Sequence, residues 1–259
     1  MEKIKKILIS QPEPKTERSP YSDLAEKHNL KLDFHKFIRI EGVSSKEYRQ
    51  SKVKILEHTG VIFLSKIAVD HFFRVCEESR IIVPDSMKYF CTSENIALYL
   101  QKYIVYRKRK ILYGKHTFND LIDIINVKHT SGKLLLTMSD TPIEHITQTL
   151  EKAKIKFSPL VLYHTVSCNL SKEINLSDDI YDMLVFFTPA GIKSLFDNFT
   201  DFKQNNTAVA VFGAATKDAA IDAGLRLDII APTPETPSMS MAMDTYIEEF
   251  NKNRRKKKK

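Results

Sequence analysis

Five short runs of aliphatic, β-branched and aromatic residues constrain this chain more than anything else in it. They are Lys6-Ile-Leu-Ile-Ser10, Val61-Ile-Phe-Leu-Ser65, Leu134-Leu-Leu-Thr137, Met183-Leu-Val-Phe-Phe187 and Ala208-Val-Ala-Val-Phe212, and they alternate with segments of helical period. Runs this continuously apolar are strands covered on both faces, the arrangement that parallel sheets with crossover helices provide. Ile67, Ala68, Val69, Phe72, Phe73 and Cys76 recur at three-to-four spacing after the second run, as do Ile192, Leu195, Phe196 and Phe199 after the fourth. The fold class is therefore α/β.

The chain also repeats itself. Phe63-Leu-Ser-Lys-Ile-Ala-Val69 superposes on Phe186-Phe-Thr-Pro-Ala-Gly-Ile192 without a gap at an offset of 123 residues. Tyr89 to Glu94 matches Val211 to Thr216 at 122, and Leu30 to Phe37 matches Ile155 to Leu162 at 125. Two copies of one α/β unit account for this; βα patterning common to both halves is the alternative. The β-prone stretches Phe34 to Val43 and Pro159 to Cys168 occupy equivalent places and are poor in Gly and Ser, unlike flexible linkers. Paired as a two-stranded ladder (34–44 with 157–169), they make residues 45–156 an inserted α/β domain. The outer domain is then discontinuous, 1–33 plus 170–250, and residues 251–259 form a basic disordered tail. Two similar parallel-sheet lobes would face each other across a cleft lined by the carboxyl ends of their strands.

Those strand ends carry small residues and hydroxyls: Ser65-Lys66, Cys91-Thr92-Ser93, Thr137-Met138-Ser139, Thr188-Pro189-Ala190-Gly191 and Gly213-Ala214-Ala215-Thr216. Each leads into a helix whose first N–H groups lack intrahelical partners, so together the turns could cradle carboxylates. For any one of Ser65, Ser93, Thr188 or Thr216 a helix cap explains the hydroxyl; five such turns around one cleft point to an anionic ligand. Gly213 allows either close backbone approach or a positive φ, and Gly224 reads as the residue just past a helix end. Thr236-Pro237 reads as N-cap and first residue of a last helix with Met239, Met243, Tyr246, Ile247 and Phe250 on its apolar face. The basic run Lys102, Arg107 to Lys110, interleaved with Tyr103, Tyr106 and Tyr113, reads as a strand of solvated cations and half-buried tyrosines rather than a single-strand nucleic-acid site.

Other chemistries drop out. The seven glycines fall in neither GxGxxG nor GxxxxGK[ST] spacing, and HExxH and GxSxG are absent. A P-loop or dinucleotide enzyme, a zinc protease and an α/β-hydrolase are thereby disfavoured, and the expectation is that any chemistry here needs neither metal nor nucleotide. Cys76, Cys91 and Cys168 show no CxxC spacing and read as buried thiols. With no apolar run near about 18 residues and an opening segment unlike a signal peptide, the reading is a cytoplasmic monomer without membrane insertion. The formal charge of +8 is mostly local: Lys252 to Lys259 hold seven basic residues and no acid, leaving +1 for the rest. Net charge therefore gives no support to a specific nucleic-acid partner.

Four motifs in order resemble those of uroporphyrinogen-III synthases. Val61-Ile-Phe-Leu-Ser-Lys-Ile-Ala-Val69 is similar to that family's "IFTSxxAV" turn, Leu160-Val-Leu-Tyr-His-Thr-Val166 to its "vYrTv" linker strand and Phe186-Phe-Thr-Pro-Ala-Gly-Ile192 to its "FFSPSG" turn. Phe212 to Ala220, Gly224 to Asp228 and Pro232-Thr-Pro234 resemble "IGpTTAxAL…Gl…sPTp". The resemblance implies two α/β lobes joined by a β-ladder and a cofactor-free cyclisation of hydroxymethylbilane, a linear tetrapyrrole rich in carboxylates, with ring D inverted through a spiro intermediate. It implies Tyr163 as the group that hydrogen-bonds or protonates the departing hydroxyl, and the strand-end turns as the substrate contacts. Leu64, Ala190 and Ala215 stand where the family often carries hydroxyls, and Gln11 where an Arg is common. A non-catalytic binder of small anions descended from the enzyme is the competing expectation.

Overall fold

The computed structural model describes residues 3–16, 18–115, 117–129, 131–141, 143–176 and 180–257. The order is β1 (Lys6–Ile9), α1 (Pro20–His28), β2 (Lys31–Phe34), β3 (Ile38–Gly42), α2 (Ser45–Gln50), β4 (Gly60–Phe63), α3 (Lys66–Glu78), β5 (Lys88–Cys91) and α4 (Glu94–Tyr99). Then come β6 (Ile111–Tyr113), α5 (Phe118–Lys128), β7 (Leu134–Ser139), α6 (Glu144–Lys152), β8 (Phe157–Ser167), β9 (Met183–Phe186), α7 (Pro189–Asn198), β10 (Ala208–Phe212), α8 (Ala214–Asp222), β11 (Ile229–Ala231) and α9 (Met239–Lys257). Two compact units result: Met1–Arg39 with Val166–Lys259, and Ile40–Thr165.

The first unit holds a five-stranded sheet in the order β11-β10-β9-β1-β2, parallel throughout. Both ends of the chain build it, since β1 pairs Ile7, Leu8 and Ile9 with Met183, Leu184 and Val185 of β9. Alternate residues supply two cores. Ile7, Ile9, Met183, Val185 and Ala210 meet Leu24 of α1 and Met239, Met243 and Ile247 of α9. Leu8, Leu184, Phe186, Val209 and Val211 meet Ile192 and Leu195 of α7 and Ala220 of α8. This two-sided burial is why the strands read as unbroken apolar runs.

The second unit holds the order β3-β8-β7-β4-β5-β6. Leaving out β3, its series β6-β5-β4-β7-β8 has the same order as β11-β10-β9-β1-β2, and the central strands β4 and β9 begin 123 residues apart. Phe63, Tyr89 and Cys91 pack on Val69, Phe72 and Cys76 of α3, while Ile62, Phe90 and Leu136 pack on Leu121 and Ile125 of α5 and Leu150 of α6. Capping boxes at Ser44 with Glu47 and at Thr117 with Asp120 start α2 and α5.

Several local expectations change. Only Ile111–Tyr113 of the basic, tyrosine-rich stretch is a strand. Before it, the N–H groups of Lys110 and Ile111 both turn back to the Arg107 carbonyl, and the Arg107 and Lys110 side chains reach Asp85. The last helix starts two residues later than Thr236-Pro237 suggests, because Thr236 is spent in a turn, its N–H donating to Thr233 Oγ1 at 3.0 Å. Ser238 takes the cap instead, its Oγ accepting the Met241 N–H at 3.3 Å. That helix also runs to Lys257, into the segment read as a disordered tail, and no Gly or Pro interrupts it. Lys258 and Lys259 of that segment lie outside the described residues.

Candidate functional site

In the second unit the centre of interest is the carboxyl end of β4. The chain leaves Phe63, and Ser65 caps α3 with extended backbone (φ −154°, ψ 160°), its Oγ accepting the Ala68 N–H at 3.0 Å. On its other side the same Oγ lies 3.3 Å from the Tyr163 hydroxyl. Ser65 is thus both a cap and the partner of the tyrosine.

Tyr163 reaches this point because β8 pairs with β7 up to Ser139↔Tyr163, with a register shift between Met138 and Ser139 that re-aims the strand end. Its ring stacks on His71 of α3, centroids 5.4 Å apart and planes 23° off parallel. Arg74 Nε–H donates to His71 Nδ1 at 3.2 Å, and Arg74 Nη2 donates to the Val43 carbonyl at 2.7 Å. Burial first, and the Arg74 guanidinium second, hold the His71 imidazole below its ordinary range against the pull of Asp70 and Glu78. Gly42 faces this pair: a Cβ there would lie 2.6 Å from Arg74 Nη2 and 2.8 Å from His71 Nδ1.

The other expected residues of this unit divide. Thr92 points back at the end of β4, its N–H on the Phe63 carbonyl at 3.1 Å and its hydroxyl 3.4 Å from the Leu64 carbonyl. Ser93 occupies the cap of α4 but makes no side-chain cap bond, so its hydroxyl is not spent there. Ser139 is the last residue of β7 rather than part of a turn, and its Oγ accepts the Thr141 N–H at 3.3 Å. Exposed Lys66 rests its Nζ 5.4 Å from the Tyr99 ring centroid.

In the first unit Thr188 caps α7, its Oγ1 accepting the Gly191 N–H at 3.1 Å, with Pro189 and Ala190 in the first turn. Ser10, at the end of β1, lies beside Gly191. At β10 the cap of α8 is Gly213, not Thr216, which is the third helical residue and buried. Gly213 has φ 87° and nothing within 4 Å of a would-be Cβ, so the position demands a positive φ rather than close approach. With no side-chain cap, the leading amides of Ala214, Ala215 and Thr216 are not claimed by a capping side chain. Gly224, φ 76°, closes the same helix: its N–H bonds Ile221 and the Leu225 N–H bonds Ala220, a Schellman ending.

Thiol chemistry has no foothold at Cys76 or Cys91, since burial pushes each up to about 12. Among the described residues no group of three or more His, Cys, Asp or Glu side chains is arranged to hold a metal ion. None of the described helices is long and apolar enough to cross a membrane. Sequence reasoning missed His71, Arg74, Gly42 and Ser10. The spacing of His71, Arg74 and Glu78 along one face of α3 was the available signal for the first two.

The family model for uroporphyrinogen-III synthase HemD matches residues 19–240. The chain belongs to the uroporphyrinogen-III synthase family. Its activity is accordingly that of a cyclising lyase of tetrapyrrole biosynthesis, closing hydroxymethylbilane with inversion of ring D. No curated protein matches the sequence. Among solved structures, a mutant uroporphyrinogen III synthase from the extremely thermophilic bacterium Thermus thermophilus matches at TM-score 0.55 and 14% identity, covering 97% of this chain and 99% of that one. Uroporphyrinogen-III synthetase from Helicobacter pylori matches at TM-score 0.56 and 14% identity, covering 95% and 100%. What is shared at that identity is the fold: α/β units built on parallel sheets.

Proposed function

We propose that Tyr163 hydrogen-bonds or protonates the hydroxyl that leaves hydroxymethylbilane, and that the strand-end turns of each unit take the substrate's carboxylates. The observation that carries this reading is the Ser65–Tyr163 contact at 3.3 Å. Ser65 Oγ already accepts the Ala68 N–H, so its own hydrogen can go to the Tyr163 oxygen, leaving the phenolic hydrogen for the substrate. The C–O bond breaks, the oxygen departs as water with that proton, and ring A is left as an azafulvenium cation, which becomes the azafulvene when its pyrrole N–H proton passes to the tyrosinate and restores the phenol. The substituted carbon of ring D attacks it to give the spiro intermediate, which fragments and recloses with ring D turned over. The free substrate closes on its own without inversion, so the main task is to hold one geometry, which amides and hydroxyls can do.

On this reading Ser65, Lys66, Thr92, Ser93 and Ser139 in one unit, and Thr188 to Gly191 with Gly213 to Thr216 in the other, are the substrate contacts. The leading amides of α8 and the Ala190 N–H of α7 offer hydrogen bonds to carboxylates where Ala190 and Ala215 lack a hydroxyl. The protein works as a cytoplasmic monomer with no specific nucleic-acid partner; the free state of all three cysteines is in keeping with a reducing compartment. Tyr163→Phe tests the acid role: the rate of type III formation should fall by about 10²-fold or more, and an unchanged rate would remove Tyr163 from the chemistry.

A further inference from the structure

We propose that His71 is the positioning residue for Tyr163, a plate of fixed tautomer that sets where the phenolic hydroxyl sits. The inference rests on the reading of Tyr163 given above. Three observations carry it. The imidazole and phenol rings are stacked, 5.4 Å between centroids. A guanidinium can only donate, so the Arg74 Nε–H to His71 Nδ1 bond at 3.2 Å makes Nδ1 the unprotonated nitrogen and leaves the hydrogen on Nε2. Arg74 is itself anchored, through Nη2 to the Val43 carbonyl at 2.7 Å and through Nη1 to Glu78 at 2.8 Å, so the ring is held from behind by the residue that follows β3 and by its own helix.

Gly42 completes the arrangement. Its backbone is the floor on which the pair lies, and any side chain there would collide with both His71 and Arg74. The charged groups around the imidazole are Asp70, Arg74 and Glu78 on α3, with the Tyr163 phenol across it on β8. Burial and Arg74 favour the neutral form of the imidazole, in line with a ring that accepts at Nδ1. A phenol held between this ring and Ser65 has little freedom, and a displacement of its hydroxyl by about 1 Å is enough to cost a large factor in rate.

The experiment combines NMR of the whole chain, carrying isotope-labelled histidine and tyrosine, with steady-state kinetics. The His71 and Tyr163 signals are assigned by their loss in His71→Phe and Tyr163→Phe. At neutral pH the unsubstituted protein should show His71 with Nδ1 unprotonated and Nε2 protonated. The Tyr163 signal should move in His71→Phe and in Gly42→Ala, which pushes on the pair without deleting it. In His71→Phe, kcat should fall about tenfold or more with KM within about twofold, and the substitution should add little once Tyr163 is already Phe. A proton on Nδ1, an unmoved Tyr163 signal, or a His71→Phe effect undiminished in the Tyr163→Phe background overturns the proposal. If Tyr163→Phe keeps full activity, the acid role of Tyr163 fails instead, and the tautomer and the Tyr163 signal still decide whether His71 positions it.

Discussion

Ser65 and Tyr163 meet hydroxyl to hydroxyl at 3.3 Å although they lie 98 residues apart in the chain. The serine arrives as the cap of a helix and the tyrosine as the last residue of β8 that pairs with β7, so two ordinary structural roles deliver one polar pair to the end of β4.

Ser65→Ala removes the cap and the tyrosine's partner together. Stability should fall by about 1 kcal/mol, the usual cost of losing a serine cap, seen as a lower urea midpoint with an unchanged slope. Ser65→Asp keeps an acceptor for the Ala68 N–H and should recover stability while leaving type III formation impaired. Recovery of both would reduce Ser65 to its cap.

Gly213→Ala places a Cβ at φ 87° with nothing near it to clash. The cost is then purely backbone, about 1–3 kcal/mol, because φ 87° with ψ 152° belongs to a region essentially confined to glycine, and Gly213→Asn should cost as much, because the positive φ that Asn tolerates is that of the left-handed helical region. Negligible losses in urea melts would mean that the turn adapts.

The strand centres, the parallel α/β class and the helices after β4 and β9 were legible in the sequence because residues covered on both faces must be apolar. The edges were not. β6 and β11 are three residues each, too short for a pattern to emerge. The cap of α8 was read at Thr216 because hydroxyls usually cap, whereas Gly213 starts the helix by backbone conformation alone. The strand-end hydroxyls could be named from their positions after apolar runs, but His71, Arg74 and Gly42 come together only when β3 lies against α3, and no local pattern encodes that contact.

Stability should weaken as the solution is acidified through the imidazole range. Burial, with help from Arg74 and Lys88 respectively, holds His71 and His129 below 6.5 in the folded protein. The unfolded chain therefore binds more protons between the two sets of values, so the contribution is whole above pH 6.5 and is lost as the pH falls through the depressed folded values. Urea midpoints measured from neutral to mildly acidic pH should decline, less steeply in His71→Phe. Parallel slopes would remove His71 from the titration.

A thiol reagent should modify one cysteine of the native protein readily. Cys168 is partly exposed, whereas Cys76 and Cys91 are buried with their thiols pushed up to about 12. Mass spectrometry should find those two labelled only in denaturant; fast labelling of either under native conditions would contradict the packing of β5 on α3.

The central claim is catalytic, and Leu64, Ala190 and Ala215 make it worth testing directly, because each stands where a hydroxyl is common in the family. Purified protein is given freshly generated hydroxymethylbilane, and the oxidised products are separated into type I and type III isomers. Type III should be the main product, formed faster than spontaneous closure. Type I alone, at the spontaneous rate, would contradict the claim.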